Sequence, residues 1–286
     1  MDKAWASARS WINLRTILEA PVSRSYTNYV GNWLLLWADT FRQIGAFGLI
    51  TLGVMITQFN RAPAVIRPLI RTQIARSGLR LLPMVAFISC ALGFVVIGQT
   101  VALLNRVGAQ NLVGTVMVIV VVRALGPLVT ALVVLLRIGT ANVIELGTAR
   151  ALGEIEALEA LAIDPIHYLV VPRVIGMAVA AFTLTAYLVL GAIFSGYLFA
   201  FLQDVPLAPA DYFHQLATAL TWEDFAILAL KSSLYGVVIA LVTSFQGLAQ
   251  PLELAQVSNV TTRALVASFV ACVLLDAVFI LVYLIM

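Results

Sequence analysis

Leu81-Leu-Pro-Met-Val-Ala-Phe-Ile-Ser-Cys90-Ala-Leu-Gly-Phe-Val-Val-Ile-Gly-Gln-Thr100-Val-Ala-Leu-Leu104 contains no charged residue. As an α-helix it extends about 36 Å at 1.5 Å per residue, more than the hydrocarbon core of a bilayer. Its apolar residues are continuous rather than alternating, which excludes a membrane β-strand. The whole chain agrees. Of its 286 residues, 62% are hydrophobic and 11% charged, and the mean hydropathy is +1.02. A soluble domain lacks the means to cover so much apolar surface, so soluble enzymes, disordered chains and fibrous repeats are excluded. The composition predicts an all-α integral membrane protein.

Four further apolar stretches follow, giving five transmembrane helices: about 81–104, 112–136, 174–202, 225–249 and 264–286. The second carries Arg123, the fourth Lys231 and the fifth Asp276. Ile44–Phe59 is too short for a span and reads as an interfacial or re-entrant segment. Arg67, Arg71, Arg76 and Arg80 recur at near-helical spacing with Ile66, Leu69, Ile70 and Ile74 between them. Such a basic amphipathic helix suits an anionic leaflet surface. The organisation predicted is therefore an extension over 1–32, interfacial and amphipathic helices over 33–80, and a five-span domain over 81–286.

Charge asymmetry orients the chain. Lys3, Arg9, Arg15, Arg24, Arg42, Arg61, Arg67, Arg71, Arg76 and Arg80 precede Leu81, against only Asp2, Glu19 and Asp39. The segment 203–224 has no basic residue but carries Asp204, Asp211, Glu223 and Asp224. The excess of positive charge places the N-terminus in the cytoplasm, and five crossings then place the C-terminus outside. Met1–Arg15 lacks the apolar core of a secretory signal. Cys90 and Cys272 are too few for a disulfide framework and read as small buried hydrophobes. His167 and His214 fall on opposite faces, so no metal site is expected. No phosphate-binding loop is present, since Lys231-Ser232 lacks the upstream glycines. No catalytic residues, cofactor or nucleic-acid partner are expected. Transport work by such a chain draws on an ion gradient or on a partner.

The loop between the second and third spans is patterned. Leu152, Ile155, Leu158 and Leu161 or Ala162 form one apolar stripe, flanked by Glu154, Glu156 and Glu159. Asp164-Pro165 stops the helix, because a residue before proline avoids the α conformation. A short acidic helix over about 148–163 is predicted, either folded back on its own bundle or docking a cytosolic partner.

These residues carry a resemblance. Glu145-Leu-Gly, then Asp164-Pro165-Ile-His-Tyr168-Leu-Val-Val-Pro172-Arg173, resembles the signature of the MlaE/YrbE permease family. Leu125-Gly126-Pro127 after Arg123, Lys231-Ser232, Gln246-Gly247, and Thr261-Thr262-Arg263 followed by Asp276 are similar to further family pieces. Arg123-Ala124 stands where the family commonly has Arg-Glu. The resemblance covers roughly residues 35–286. It implies the permease subunit of an ATP-binding cassette transporter, acting as a homodimer in the bacterial inner membrane. It implies a cytosolic ATPase that binds the ATP, a periplasmic MCE-domain lipid-binding protein, and a small STAS-type regulator. The loop helix then becomes a coupling helix, with Leu152, Glu154, Ile155, Glu156, Leu158, Glu159 and Asp164 facing the ATPase.

Arg123 lies about 16 Å, Lys231 about 9 Å and Asp276 about 15 Å below the outer ends of their helices at 1.5 Å per residue. Each alone costs at least about 2.5–3.5 kcal/mol at the bilayer centre, so they are expected to face one another or water. They are either an ion cluster pinning the helices or, on the resemblance, a lining for a phospholipid headgroup. In the second reading Arg123 and Lys231 meet the phosphate and Asp276 orients them. The function expected is phospholipid movement between the inner membrane and the MCE partner, maintaining envelope lipid asymmetry. The rival is a secondary transporter using the three charges as a proton or ion relay, although no internal repeat is visible.

The topology is testable by labelling. In a variant lacking Cys90 and Cys272, a cysteine at Asp211 should react with an impermeant thiol reagent from the outer side, and one at Glu156 should not. The opposite pattern would reverse the orientation.

Overall fold

The computed structural model describes residues 40, 42–57, 63–107, 112–202, 209–248 and 254–285. The extension over 1–32 lies outside them. The chain divides into two units, residues 1–49 and 50–286. Arg42–Thr57 is an apolar helix, α1. At about 24 Å it is shorter than a bilayer core.

No strand occurs among the described residues. In the second unit the elements are α2 (Pro63–Ser77), α3 (Leu82–Val107) and α4 (Val113–Ala151), then α5 (Glu154–Ala160) and α6 (Val171–Leu202). They are followed by α7 (Pro209–Ala219), α8 (Trp222–Leu248) and α9 (Val257–Ile285). Five stretches are long and apolar enough to cross a membrane: Ala64–Thr100, Val113–Ala151, Ile166–Phe199, Trp222–Leu248 and Val257–Leu284. The protein is an all-α integral membrane protein, as its composition requires.

α6 is central and packs along α3, α8 and α2. α2 keeps the expected amphipathic pattern, with Ile66 buried and Arg67, Arg71 and Arg76 exposed. Its apolar side lies against the first turns of α6. Gly108 to Asn111 lie outside the described residues, and α4 begins beyond them. α4 is one rod of about 58 Å at 1.5 Å per residue, nearly twice the bilayer core. It therefore continues well past Leu136, where the apolar run ends. Two π-helical stretches, Val118–Leu125 and Leu135–Gly139, interrupt its α geometry.

The helix expected over 148–163 is two helices. Gly153 adopts φ +75°, the left-handed conformation that ends α4, and its N–H is bonded to the Arg150 carbonyl at 3.2 Å. A glycine takes this conformation without a Cβ clash. α5 starts immediately after it, and Arg150 Nε meets Glu156 Oε1 across the break at 3.3 Å. Asp164 is not part of α5. Its Oδ1 accepts the Ile166 N–H at 2.9 Å and so caps the next helical segment. The acidic segment before the fourth span also holds a helix, α7. α7 buries Tyr212 and Leu216 against the start of α4, with Gln215 Oε1 accepting the Gly114 N–H at 3.1 Å. Cys272 is buried, whereas Cys90 is exposed on α3 beside Tyr187 and Leu190.

The close approach of α6 and α8 depends on Gly236, where a Cβ would lie 2.3 Å from the Met177 carbonyl oxygen. Because the obstacle is backbone, it cannot rotate away. Gly236→Val should lower the detergent melting temperature by several degrees, whereas Gly53→Val, with nothing within 4 Å, should not. Equal melting of the two variants would contradict this packing.

Candidate functional site

α8 presents Asp224, Leu228, Lys231 and Tyr235 at i, i+4, i+7 and i+11, and all four are buried. This stripe faces α4 and α9. Lys231 Nζ lies 2.5 Å from Asp276 Oδ1. Tyr235 donates its hydroxyl to the same oxygen at 2.7 Å. The lysine side chain is 2% exposed and the aspartate 17%. Phe279, one turn beyond Asp276 on α9, brings its ring to 5.9 Å from Nζ.

Lys231 makes a second hydrogen bond, donating to the Arg123 carbonyl at 3.1 Å. Arg123 lies in the first π stretch, Val118–Leu125, and Pro127 just beyond that stretch has no N–H to give the backbone ladder. The Leu125-Gly126-Pro127 motif and the lysine, far apart in sequence, thus meet at one place.

The Arg123 side chain turns the other way. Its Nε is 2.8 Å from Asp224 Oδ1, and its Nη2 donates to Oδ2 at 3.1 Å. The pair is thus an ion contact at Nε with one hydrogen bond, from Nη2. Asp224 is 2% exposed and is also fixed by its own helix start, where the Thr221 N–H and hydroxyl each donate to Oδ2 at 3.0 Å. The Thr221 N–H bond to Asp224 is one half of a capping box, and the backbone N–H of Asp224 goes to the Thr221 carbonyl at 3.2 Å. Tyr283 on α9 covers the guanidinium at 5.4 Å.

The three charges singled out from sequence therefore do come together, but not as one cationic cradle. Lys231 and Asp276 neutralise each other in the interior. Arg123 joins them through its carbonyl and gives its charge to Asp224. Sequence reasoning counted Asp224 with the outer loop and overlooked Tyr235. The signal that would have found both is the i, i+7, i+11 register with Lys231. Of the network's cations, Arg123 alone stays open, with its side chain 33% exposed. It lines a cavity of about 320 Å³ with Thr115, Val118, Ile119, Thr218 and Ala219, between α4 and α7.

The loop residues divide in two. Ile155 is 2% exposed and folds back against the bundle. Leu152 and Leu161 are 60% and 70% exposed, and Glu154, Glu156 and Glu159 are exposed beside them. Leu158 is half-buried.

Breaking one member of the interior pair leaves an uncompensated charge. Lys231→Met should cost about 3–5 kcal/mol, and the Lys231→Met/Asp276→Asn double variant should recover much of it. Thermal unfolding in detergent reads both. A fully stable Lys231→Met single variant would contradict the pairing.

The profile of the permease MlaE family matches residues 70–282. A probable ABC transporter permease protein of Rickettsia typhi is 28% identical over 84% of this chain and 91% of its own length. The intermembrane phospholipid transport system permease protein MlaE of Haemophilus influenzae is 24% identical over 83% of this chain and 90% of its own. The chloroplastic protein TRIGALACTOSYLDIACYLGLYCEROL 1 of Arabidopsis thaliana is 29% identical over 72% of this chain and 59% of its own. With five spans and a profile match over most of its length, the chain belongs to the MlaE family of ABC transporter permeases.

Proposed function

We propose that this permease is the non-catalytic membrane subunit of an ATP-driven lipid transporter. Two copies act together in the bacterial inner membrane, with the N-terminus cytoplasmic and the C-terminus periplasmic. Phospholipid passes between the membrane and a periplasmic MCE-domain partner, and a cytosolic ATPase supplies the work. The Haemophilus and Arabidopsis relatives, whose names refer to phospholipid transport and to a glycerolipid, support the substrate class.

The observation that carries the reading is the loop helix α5. It is pinned to its own bundle by Ile155 while Leu152 and Leu161 stand in solvent among three glutamates. Exposed apolar side chains rimmed by charge mark a protein contact. A helix anchored on one side and free on the other can pass a push from a partner into α4 and α6, which flank it in the chain. At the far end, Arg123 offers its open edge to a phosphate in the 320 Å³ cavity. Asp224 holds that guanidinium by its ion pair and one hydrogen bond, while Lys231 and Asp276 position α4 against α8 and α9. In this arrangement the lysine is a positioning residue rather than a headgroup ligand.

Leu161→Asp puts a charge into the free apolar face without touching the buried Ile155. The chain should insert and melt normally, but capture of the ATPase and lipid-stimulated ATP hydrolysis should fall at least about tenfold. Retained capture and hydrolysis in Leu161→Asp would remove α5 as the dock.

A further inference from the structure

A second cavity, of about 300 Å³, opens at the end of the bundle that carries α5. Four arginines line it. Arg76 and Arg80 come from the end of α2 and the turn after it, Arg137 from the second π stretch of α4, and Arg173 from the first turns of α6. One carboxylate answers them. Glu145 takes Arg76 at 2.9 Å and Arg173 at 3.2 Å, one on each oxygen. Arg173 also donates to the Leu169 carbonyl at 3.0 Å. Arg80 and Arg137 are exposed and have no carboxylate partner among the described residues. The cavity therefore carries a net charge of three positives, with two guanidiniums still free to bind.

The other walls are mixed in a particular way. Leu81, Ile138, Ala141 and Met177 give an apolar side. Asn142, 4% exposed, donates Nδ2 to Thr243 Oγ1 at 2.7 Å and to Ser244 Oγ at 3.2 Å. Its Oδ1 is buried without a partner among the described residues. A free pair of guanidiniums at a cavity with an apolar side suits a ligand with an anionic oxygen cluster. Arg137 lies about 21 Å along α4 from Arg123, at 1.5 Å per residue, so this cavity is separate from the one Arg123 lines.

We propose that the Arg80–Arg137 cavity binds a phosphate ester, with Arg80 and Arg137 taking the phosphate oxygens. Glu145 keeps Arg76 and Arg173 splayed so that the pocket stays open. The volume is at the lower end of ligand sites and admits a headgroup rather than a whole two-tailed lipid, whose chains would leave along the apolar wall. The permease would then hold phospholipid phosphate at both ends of the bundle. The proposal rests on the lipid-transport reading only for the source of the phosphate; binding is measured on the chain alone, so failure of that reading leaves the test standing.

The test uses the full-length chain in mild detergent and three probes: dihexanoyl phosphatidylglycerol, inorganic phosphate and phosphate-free dihexanoyl glycerol. Affinity is read from ligand-induced thermal shifts. The variants are Arg80→Gln/Arg137→Gln and, as control, Arg67→Gln/Arg71→Gln on the same basic helix but outside the cavity. Both pairs are exposed, so unliganded melting should match the parent. Phosphatidylglycerol should bind the parent and the control alike and the cavity variant at least about tenfold more weakly, while dihexanoyl glycerol should discriminate none of them. Competition by inorganic phosphate would assign the same site to free phosphate, and its failure to compete would assign a lipid headgroup; either supports the phosphate chemistry. Equal phosphatidylglycerol binding by all three proteins would overturn the proposal. So would undiminished binding in a cavity variant that no longer captures the ATPase, since the arginines would then serve an acidic protein surface.

Discussion

A charge within a bilayer has to be answered inside the protein, and here that demand sets how three spans meet. Lys231 is answered twice, by the Asp276 carboxylate at 2.5 Å and by the Arg123 carbonyl at 3.1 Å. Neither contact survives a helical-register shift of α4, α8 or α9. Asp276 also takes the Tyr235 hydroxyl, so the interior pair is closed off by hydrogen bonds rather than left to attraction alone. Buried ion pairs add little net stability when their desolvation is counted, but a broken one is costly. Their effect is to reject alternative packings of apolar helices that would otherwise slide against one another with little penalty.

Most of the rest follows from close approach of backbones. Lipid tails are as apolar as leucine, so helices in a membrane gain little from burying large side chains against each other. α6 and α8 approach at Gly236, where any Cβ would strike the Met177 carbonyl. Large side chains such as Phe87, Phe194 and Leu284 are left facing outward, at 76%, 62% and 81% exposure. In water these would be anomalies; on a membrane-spanning bundle they are the lipid-facing surface.

The spans were legible because an uncharged run such as Leu81–Leu104 has one physical solution, whatever surrounds it. The ion cluster was legible in part for the same reason: Arg123, Lys231 and Asp276 had to find partners. Which partner each would choose was not. Asp224 sits in an acidic segment and looks solvated in sequence; only the turn made by Thr221 brings its carboxylate back under Arg123. α7 was missed because Tyr212 and Leu216, one helical turn apart, are a weak signal until α4 is there to cover them. The break at Gly153 was hidden by an apolar stripe that runs on through it in sequence. The sequence stripe Leu152–Leu161 is not a face in space, since Ile155 points inward while Leu152 and Leu161 point out. Cys90 reads as buried from its apolar neighbours, yet a membrane helix has apolar residues all round and the sequence does not say which side meets lipid.

The Lys231 bond to the Arg123 carbonyl has a mechanical consequence. One hydrogen bond of the α4 backbone is made by a side chain rooted on α8, inside the first π stretch of α4. Around that point the two helices are riveted, and sliding either along the other breaks the bond.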